Sequence, residues 1–299
     1  IVRLVEAAER FELCVGCASL AHHTGVRFER LVYSALEEAF KDSLEHRQRE
    51  QRREAVRLER VLRRGAVCAV YQPVVDTVER RTIGFEALTR VANRSFEGAD
   101  SLFKVAHENR AIWRLERLCR SRAIRGARGL RAGQLLFLNV EPESFHDPEL
   151  RAESTFRMLR SSGIAPAQIV LEITEHSAVR DLAAFRQVVD YFKFLGFRLA
   201  VDDVGSGYSG LSSIAELRPD FIKIDMALIR GIDQHPIKQD LTGTIARFSR
   251  RSGITLIAEG VETAEEMRCL KGIGVRYEQG HLFARPGPPF PTVPQRAFD

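Results

Sequence analysis

The sequence predicts an α/β fold: a (β/α)8 TIM-like barrel with an antiparallel first strand, preceded by a small strand–helix region and a linker helix. Three observations predict it. From Ala66 onward, short apolar runs alternate with longer amphipathic stretches, the pattern of strands and crossover helices. Eight such runs occur, the number that closes a parallel barrel. Between the first two lies only Asp76 to Arg81, too short for a crossover helix, so these two runs should pair as an antiparallel hairpin.

The elements follow in order. Residues 1–27 hold one helix-like stretch and then a strand-like one, Phe11 to Leu20. From Phe28 the spacing is helical: Phe28, Leu31, Val32, Ala35, Leu36, Phe40 and Leu44 share one face, which calls for a partner such as the preceding strand. From His46 to Glu54 the pattern is polar all round, as in a helix that bridges solvent. Apolar residues return at Val56, Leu58, Val61 and Leu62. These features predict a linker helix near 41–64 and two domains, 1–54 and 55–299. The barrel strands are expected at Val67–Val75, Thr82–Leu88, Gln134–Val140, Gln168–Ile173, Arg198–Val204, Phe221–Ile224, Thr255–Ala258 and Tyr277–Phe283. Helices are expected at Ser101–Arg125, Asp181–Leu195 and Lys238–Arg250.

Composition excludes several classes. With 299 residues, 44% hydrophobic and 28% charged, the chain has material for a full core. Disorder, collagen-like repeats and a disulfide-stapled miniprotein are ruled out. No apolar run approaches the roughly 20 residues that span a bilayer. The chain starts at Ile1 rather than Met, which suggests a fragment with sensor or membrane segments upstream. No signal peptide is visible, and the five cysteines are an odd count that favours a reducing, cytoplasmic setting. Cys14 and Cys17 form a C-x-x-C, read as ordinary strand residues because no second ligand pair stands at zinc spacing.

The net charge is +5. Lys41 to Arg64 carries nine basic and five acidic residues, a surplus of +4 that leaves +1 for the rest. The excess sits on the linker helix, with no aromatic-interleaved basic strip, so no nucleic-acid partner is expected.

The chemistry lies at the strand ends, where barrels of this class place their sites. The second run carries Glu86, the third ends at Asn139, the fourth carries Glu172 and runs into Glu175. The fifth ends in Asp202 and Asp203, the sixth carries Lys223 and Asp225, and the seventh ends at Glu259 with Glu262 beyond. The eighth carries Gln279 and Gly280. One such acid alone would be read as a helix cap or a surface ion pair. Five inward carboxylates around one lysine repel one another, and a divalent cation or two is the natural counter-charge. Oxygen-only ligands point to Mg²⁺ or Mn²⁺, and two such ions suit attack on a phosphodiester. Successive strand residues face opposite ways, so Asp202 and Asp203 serve both ions only if the strand has just ended.

These residues resemble the EAL-domain family of cyclic di-GMP phosphodiesterases. Glu86-Ala87-Leu88 stands within GFEALTR, and ordered blocks surround it: YQPVVD at 71–76, LNVEPESF at 138–145, LEITE at 171–175, VDDVGSGYSGL at 201–211, RPDFIKID at 218–225, IAEGVET at 257–263 and QGHLFARP at 279–286. The resemblance implies cutting of a cyclic dinucleotide once, to linear pGpG, with two divalent cations per site and inhibition by Ca²⁺. It implies Glu86, Asn139, Glu172 and Asp202 as ligands of one metal, and Asp203, Glu86 and Glu259 around the other. Lys223 resembles the lysine that positions the attacking water. Glu259 has also been cast as general base, though the ligand role is preferred here. Glu175 resembles the residue holding the loop after the fifth strand. Gln72, Leu88, Arg90, Asp225 and Gln279 are similar to substrate contacts, as are Glu86 and Asn139. A homodimer and an upstream sensor or GGDEF-like domain are implied in the same way.

The chain departs from the family pattern at four places. Val204 stands for a usual Phe, Ser206 for Thr, Gly210 for Ser and His281 for Tyr. Three lie in or beside the loop after Asp203, so loop ordering and dimer coupling are in question more than the chemistry. A strand at Glu12–Leu20 and a helix at Arg27–Glu45 resemble the last strand and helix of a GGDEF domain, whose own signature is absent. An unrelated helical linker is the alternative. Functionally, an active hydrolase competes with a catalytically weak cyclic di-GMP receptor. Every proposed ligand is present, which favours the hydrolase.

Overall fold

The computed structural model describes residues 15–20, 27–92, 95–151, 153–174, 182–205 and 210–299. The chain divides into two compact units, Ile1–Arg63 and Arg64–Asp299.

In the first unit one uninterrupted helix, α1 (Phe28–Arg64), replaces the two helical segments read from the sequence. Its polar middle is held by ion pairs along the helix, Glu45–Arg49 at 2.9 Å and Glu50–Arg57 at 2.8 Å. Two expectations fail here. Val15–Leu20 forms no strand, and Phe11–Cys14 lie outside the described residues. The apolar face is not covered by that segment, for Phe28, Leu36, Phe40 and Leu44 are all exposed. The segment meets the helix near its middle: Gly16 lies against the Ala39 carbonyl, and Cys17 N–H donates to Asp42 Oδ2 at 3.1 Å.

The second unit is a closed eight-stranded barrel in sequential order. Its elements are β1 (Val67–Asp76), β2 (Arg81–Val91), α2 (Ala99–Glu108), α3 (Ile112–Gly126), β3 (Leu135–Asn139), α4 (Pro148–Arg151), α5 (Glu153–Ser162), β4 (Ile169–Thr174), α6 (Leu182–Phe194) and β5 (Arg198–Val204). They continue with α7 (Gly210–Leu217), β6 (Phe221–Ile224), α8 (Met226–Ile229), α9 (Pro236–Ser252), β7 (Thr255–Ala258), α10 (Ala264–Ile273) and β8 (Tyr277–Glu278). β1 and β2 pair antiparallel, as the short connection requires, and β1 closes antiparallel on β8. The pairs from β2 to β8 are parallel. The expected helix Ser101–Arg125 is two helices, broken where Arg110 takes φ 54°. The eighth strand is only two residues long, and residues 279–283 turn away to meet Val261 rather than extending the ladder.

Side-chain alternation sorts the strands into layers. One face packs against the helices: Leu136 and Leu138 of β3, Leu171 and Ile173 of β4, Leu199 and Val201 of β5, and Ile222 and Ile224 of β6 all belong to that core. The other face fills the barrel with Val74, Leu135, Phe137, Val170, Ala200, Phe221 and Ile257. Two residues further along these same strands stand Asn139, Glu172, Asp202, Lys223 and Glu259. The polar layer is thus the interior row continued one step past its apolar fill. Among the described residues no helix is long and apolar enough to cross a membrane.

Candidate active site

Lys223 stands at the centre of this layer. Its Nζ lies 2.5 Å from Glu259 Oε1, 2.8 Å from Glu172 Oε1, 3.3 Å from Asp202 Oδ2 and 3.5 Å from Glu86 Oε2. Burial disfavours a charged amine, but the surrounding carboxylates outweigh it and hold Lys223 well above the usual lysine range. One positive charge cannot serve four acids. Burial pushes Glu172 and Glu259 well above the ordinary carboxylate range and Asp202 upward, against the pull of Lys223.

Glu86 behaves differently. Burial would raise it too, but Lys223 and two amide donors outweigh burial and hold it low. The donors are Asn139 Nδ2, 2.9 Å from Oε1, and Gln279 Nε2, 2.7 Å from Oε2. Gln279 also donates to Gln72 Oε1 at 3.2 Å, and Gln72 Nε2 donates to the Ala284 carbonyl.

Asp202 and Asp203 face the same site, but not for the expected reason. The strand does not end there: β5 runs to Val204, with a bulge in its pairing to β6 between Val201 and Val204. At the bulge Asp203 adopts φ 58°, a left-handed conformation costly for a non-glycine residue. Its N–H donates to Asp202 Oδ1 at 2.9 Å. Burial, with Asp202 and Asp225 adding repulsion, pushes the Asp203 carboxyl up to about 6.

The acids form two groups joined by Asp202: Glu86, Glu172 and Asp202, then Asp202, Asp203 and Glu259. Within each, one oxygen per residue lies within 4.8 Å of the others. Both oxygens of Glu172 are wholly buried, and among the described residues Lys223 Nζ, 2.8 Å from Oε1, is the cation that approaches them. Acids crowded this closely around one ammonium are costly to ionise unless further positive charge joins Lys223. An all-oxygen set of this kind fits hard divalent cations.

Residues 54–286 match the sequence model of the EAL domain. The chain belongs to the EAL domain family. It is 30% identical over 235 residues to the probable cyclic di-GMP phosphodiesterase PdeN of Escherichia coli K12, covering 76% of this chain and 45% of that one. Among solved structures, Klebsiella pneumoniae BlrP1 in a manganese and cy-diGMP complex superposes with a TM-score of 0.67 at 33% identity, covering 74% of this chain and 56% of that chain. A standalone versatile EAL protein from Vibrio cholerae O395, in its c-di-GMP bound form, gives a TM-score of 0.68 at 30% identity, covering 78% and 98%. The chain spans 31% to 45% of the length of the first curated relatives it matches.

The EAL domain brings most of the sequence-predicted residues together. Glu86, Asn139, Glu172, Asp202, Asp203, Lys223, Glu259, Gln72 and Gln279 form one connected set. Asp225 lines the same cleft, but its carboxylate caps α8, accepting from Ala227 N–H at 2.8 Å. Leu88 lies between this cleft and a neighbouring one of about 370 Å³. Arg90 belongs to the neighbour, its Nη1 on the Thr89 carbonyl at 2.9 Å. Glu175, Ser206 and Gly207 lie outside the described residues.

Sequence reasoning missed three residues of these clefts. Arg230 follows α8, beyond any strand end, and returns to the rim of the EAL cleft. Glu116 and Arg120 of α3 line the neighbouring cleft, both buried. Their signal was present: they share helical spacing with Leu115 and Ala123 on the face that α3 buries.

Proposed function

We propose that this EAL domain is a metal-dependent phosphodiesterase that opens cyclic di-GMP once, to linear pGpG. The observation that carries the reading is the pair of three-carboxylate groups sharing Asp202, with Lys223 among them. Glu86, Asn139, Glu172 and Asp202 would hold one cation, and Asp202, Asp203 and Glu259 a second. Bound Mg²⁺ or Mn²⁺ supplies polarisation of the phosphodiester and a water of lowered pKa. The chain's own groups prepare the ground. Lys223 keeps the acids from driving one another apart. Asn139 and Gln279 fix the Glu86 carboxylate in one rotamer, and Gln72 fixes Gln279. The preference for Mg²⁺ or Mn²⁺ rests on the all-oxygen donor set.

The relatives named for cyclic di-GMP and the complexes that contain it support the choice of substrate. Homodimerisation belongs to the same reading by family resemblance, and so does a sensory or GGDEF-like domain in the full-length protein, which the greater length of the relatives supports. A cytoplasmic site of action suits the unpaired Cys17, Cys68, Cys119 and Cys269.

The test is turnover of cyclic di-GMP with Mg²⁺ or Mn²⁺, with the product identified, beside a binding titration in Ca²⁺. Release of pGpG supports the hydrolase. Binding without turnover in any of these metals would assign the domain as a receptor.

A further inference from the structure

We propose that Arg230 and His281, bridged by Glu262, form a phosphate contact on the cleft rim that receives the substrate phosphate that is not cut. This rests on the cyclic di-GMP reading above.

The three residues come from three successive loops, after α8, β7 and β8, and line one cleft of about 220 Å³ with Asp203 and Glu259. Arg230 Nη2 donates to Glu262 Oε1 at 2.9 Å, and His281 Nδ1 lies 3.8 Å from that same oxygen. Among the described residues, Arg230 Nη1 and Nε make no recorded hydrogen bond, which leaves donors for a ligand.

The rim is built before any ligand arrives. The buried Glu266 carboxylate ties its loops together: Oε1 accepts Gly231 N–H at 2.7 Å, and Oε2 accepts Glu262 N–H at 2.8 Å and Thr263 N–H at 3.1 Å. The His281 loop is seated by Val261 N–H to the Gln279 carbonyl and Leu282 N–H to the Val261 carbonyl, both 3.1 Å. Gly280 approaches so closely that a Cβ there would lie 2.0 Å from the Val261 oxygen. Loops fixed in this way present Arg230 and His281 from settled backbone positions.

The chemistry of the substrate supplies the need. A cyclic dinucleotide carries two phosphodiesters, each singly negative, held apart by the ring. The carboxylate floor with its cations fits one of them. The other must settle elsewhere on a face that also carries Asp225, and on this rim Arg230 offers a guanidinium and His281 an imidazole. Arginine suits the task because its planar fork matches two phosphate oxygens.

The experiment is steady-state kinetics of Arg230→Ala, Arg230→Lys, His281→Phe and His281→Tyr, with cyclic di-GMP affinity measured in Ca²⁺. A charge-assisted contact predicts that Arg230→Ala lowers kcat/KM about tenfold through KM and weakens Ca²⁺-state binding equally. Arg230→Lys and His281→Tyr, which keep a donor, should lose less than Arg230→Ala and His281→Phe. With an analogue whose second phosphate is a neutral methylphosphonate, Arg230→Ala should lose little more than the parent protein does. Unchanged KM in Arg230→Ala, or a loss that persists with the analogue, overturns the rim contact. If the unaltered protein neither binds nor cuts cyclic di-GMP, the substrate reading itself fails.

Discussion

Lys223 Nζ lies 2.8 Å from Glu172 Oε1, and both groups are buried within the barrel. Among the described residues this ammonium is the counter-charge of the Glu172 carboxyl. Removing the amine leaves four buried acids facing one another. Lys223→Met should lower stability in EDTA by about 3–5 kcal/mol, the cost of breaking a buried pair. Mg²⁺ should then raise its melting temperature more than that of the parent. Absence of any Mg²⁺ shift in both proteins, measured by calorimetry, would refute the cation reading of the acid cluster.

Glu86 is the acid held low, against its burial, by Lys223 and then by Asn139 and Gln279, and it belongs to the first carboxylate group. Glu86→Ala removes a ligand and orphans two amide donors. Hydrolysis of cyclic di-GMP should fall at least about 10²-fold, as for loss of a key electrostatic group. Mn²⁺ should also protect the variant less against heat. Normal turnover of Glu86→Ala would show that the assigned ligand set is wrong.

Glu278 lies on the outer face of β8, wholly buried, with neither oxygen hydrogen-bonded among the described residues. Burial pushes its carboxyl up to about 9, so the folded protein holds a proton that the unfolded chain releases near 4.5. The folded state therefore binds more protons between those values, and this residue's contribution falls as pH rises through that window. Glu278→Gln mimics the protonated acid. It should be near neutral at pH 5 and stabilising by about 1–3 kcal/mol at pH 8. Urea denaturation at the two pH values decides it, and equal effects at both would contradict the assignment.

At the opposite end of the barrel, Arg276 Nε and Nη2 donate to Asp76 Oδ2 at 2.8 and 2.6 Å, joining β8 to β1. Asp76 Oδ1 accepts Val78 and Glu79 N–H, both at 3.0 Å. Burial would raise this acid, but Arg276 and the two N–H groups outweigh it and hold it low. Its contribution is present above the unfolded pKa and is lost as pH falls through the lower folded value. Asp76→Asn should cost about 2–3 kcal/mol at pH 7 and less under acid, while the activity of the folded fraction is retained. Denaturation at pH 7 and pH 3 checks the sign.

The barrel was legible because its strands are buried on both faces and read as apolar runs between amphipathic helices. The hairpin was legible from the length of one connection. Most of the site was legible as well, because an acid or lysine inside such a run has no other reason to be there. The failures share a cause. β8 is two residues long because Gln279 and Leu282 bond to Val261 in the β7 loop, which no local pattern reveals. The apolar face at Phe28–Leu44 signalled a partner, but not which segment would supply it.

By itself, then, the sequence determined the barrel, the run of acids at its strand ends and the family they resemble. Periodicity and residue type follow from local chemistry. Only the tertiary structure decided that Asp202 and Asp203 share a site through a bulge rather than a strand end, that Arg90 sits one cleft away, and that Arg230, Glu262 and His281 meet. Those relations depend on register and loop contacts between segments distant in the chain, and only closure of the barrel fixes them.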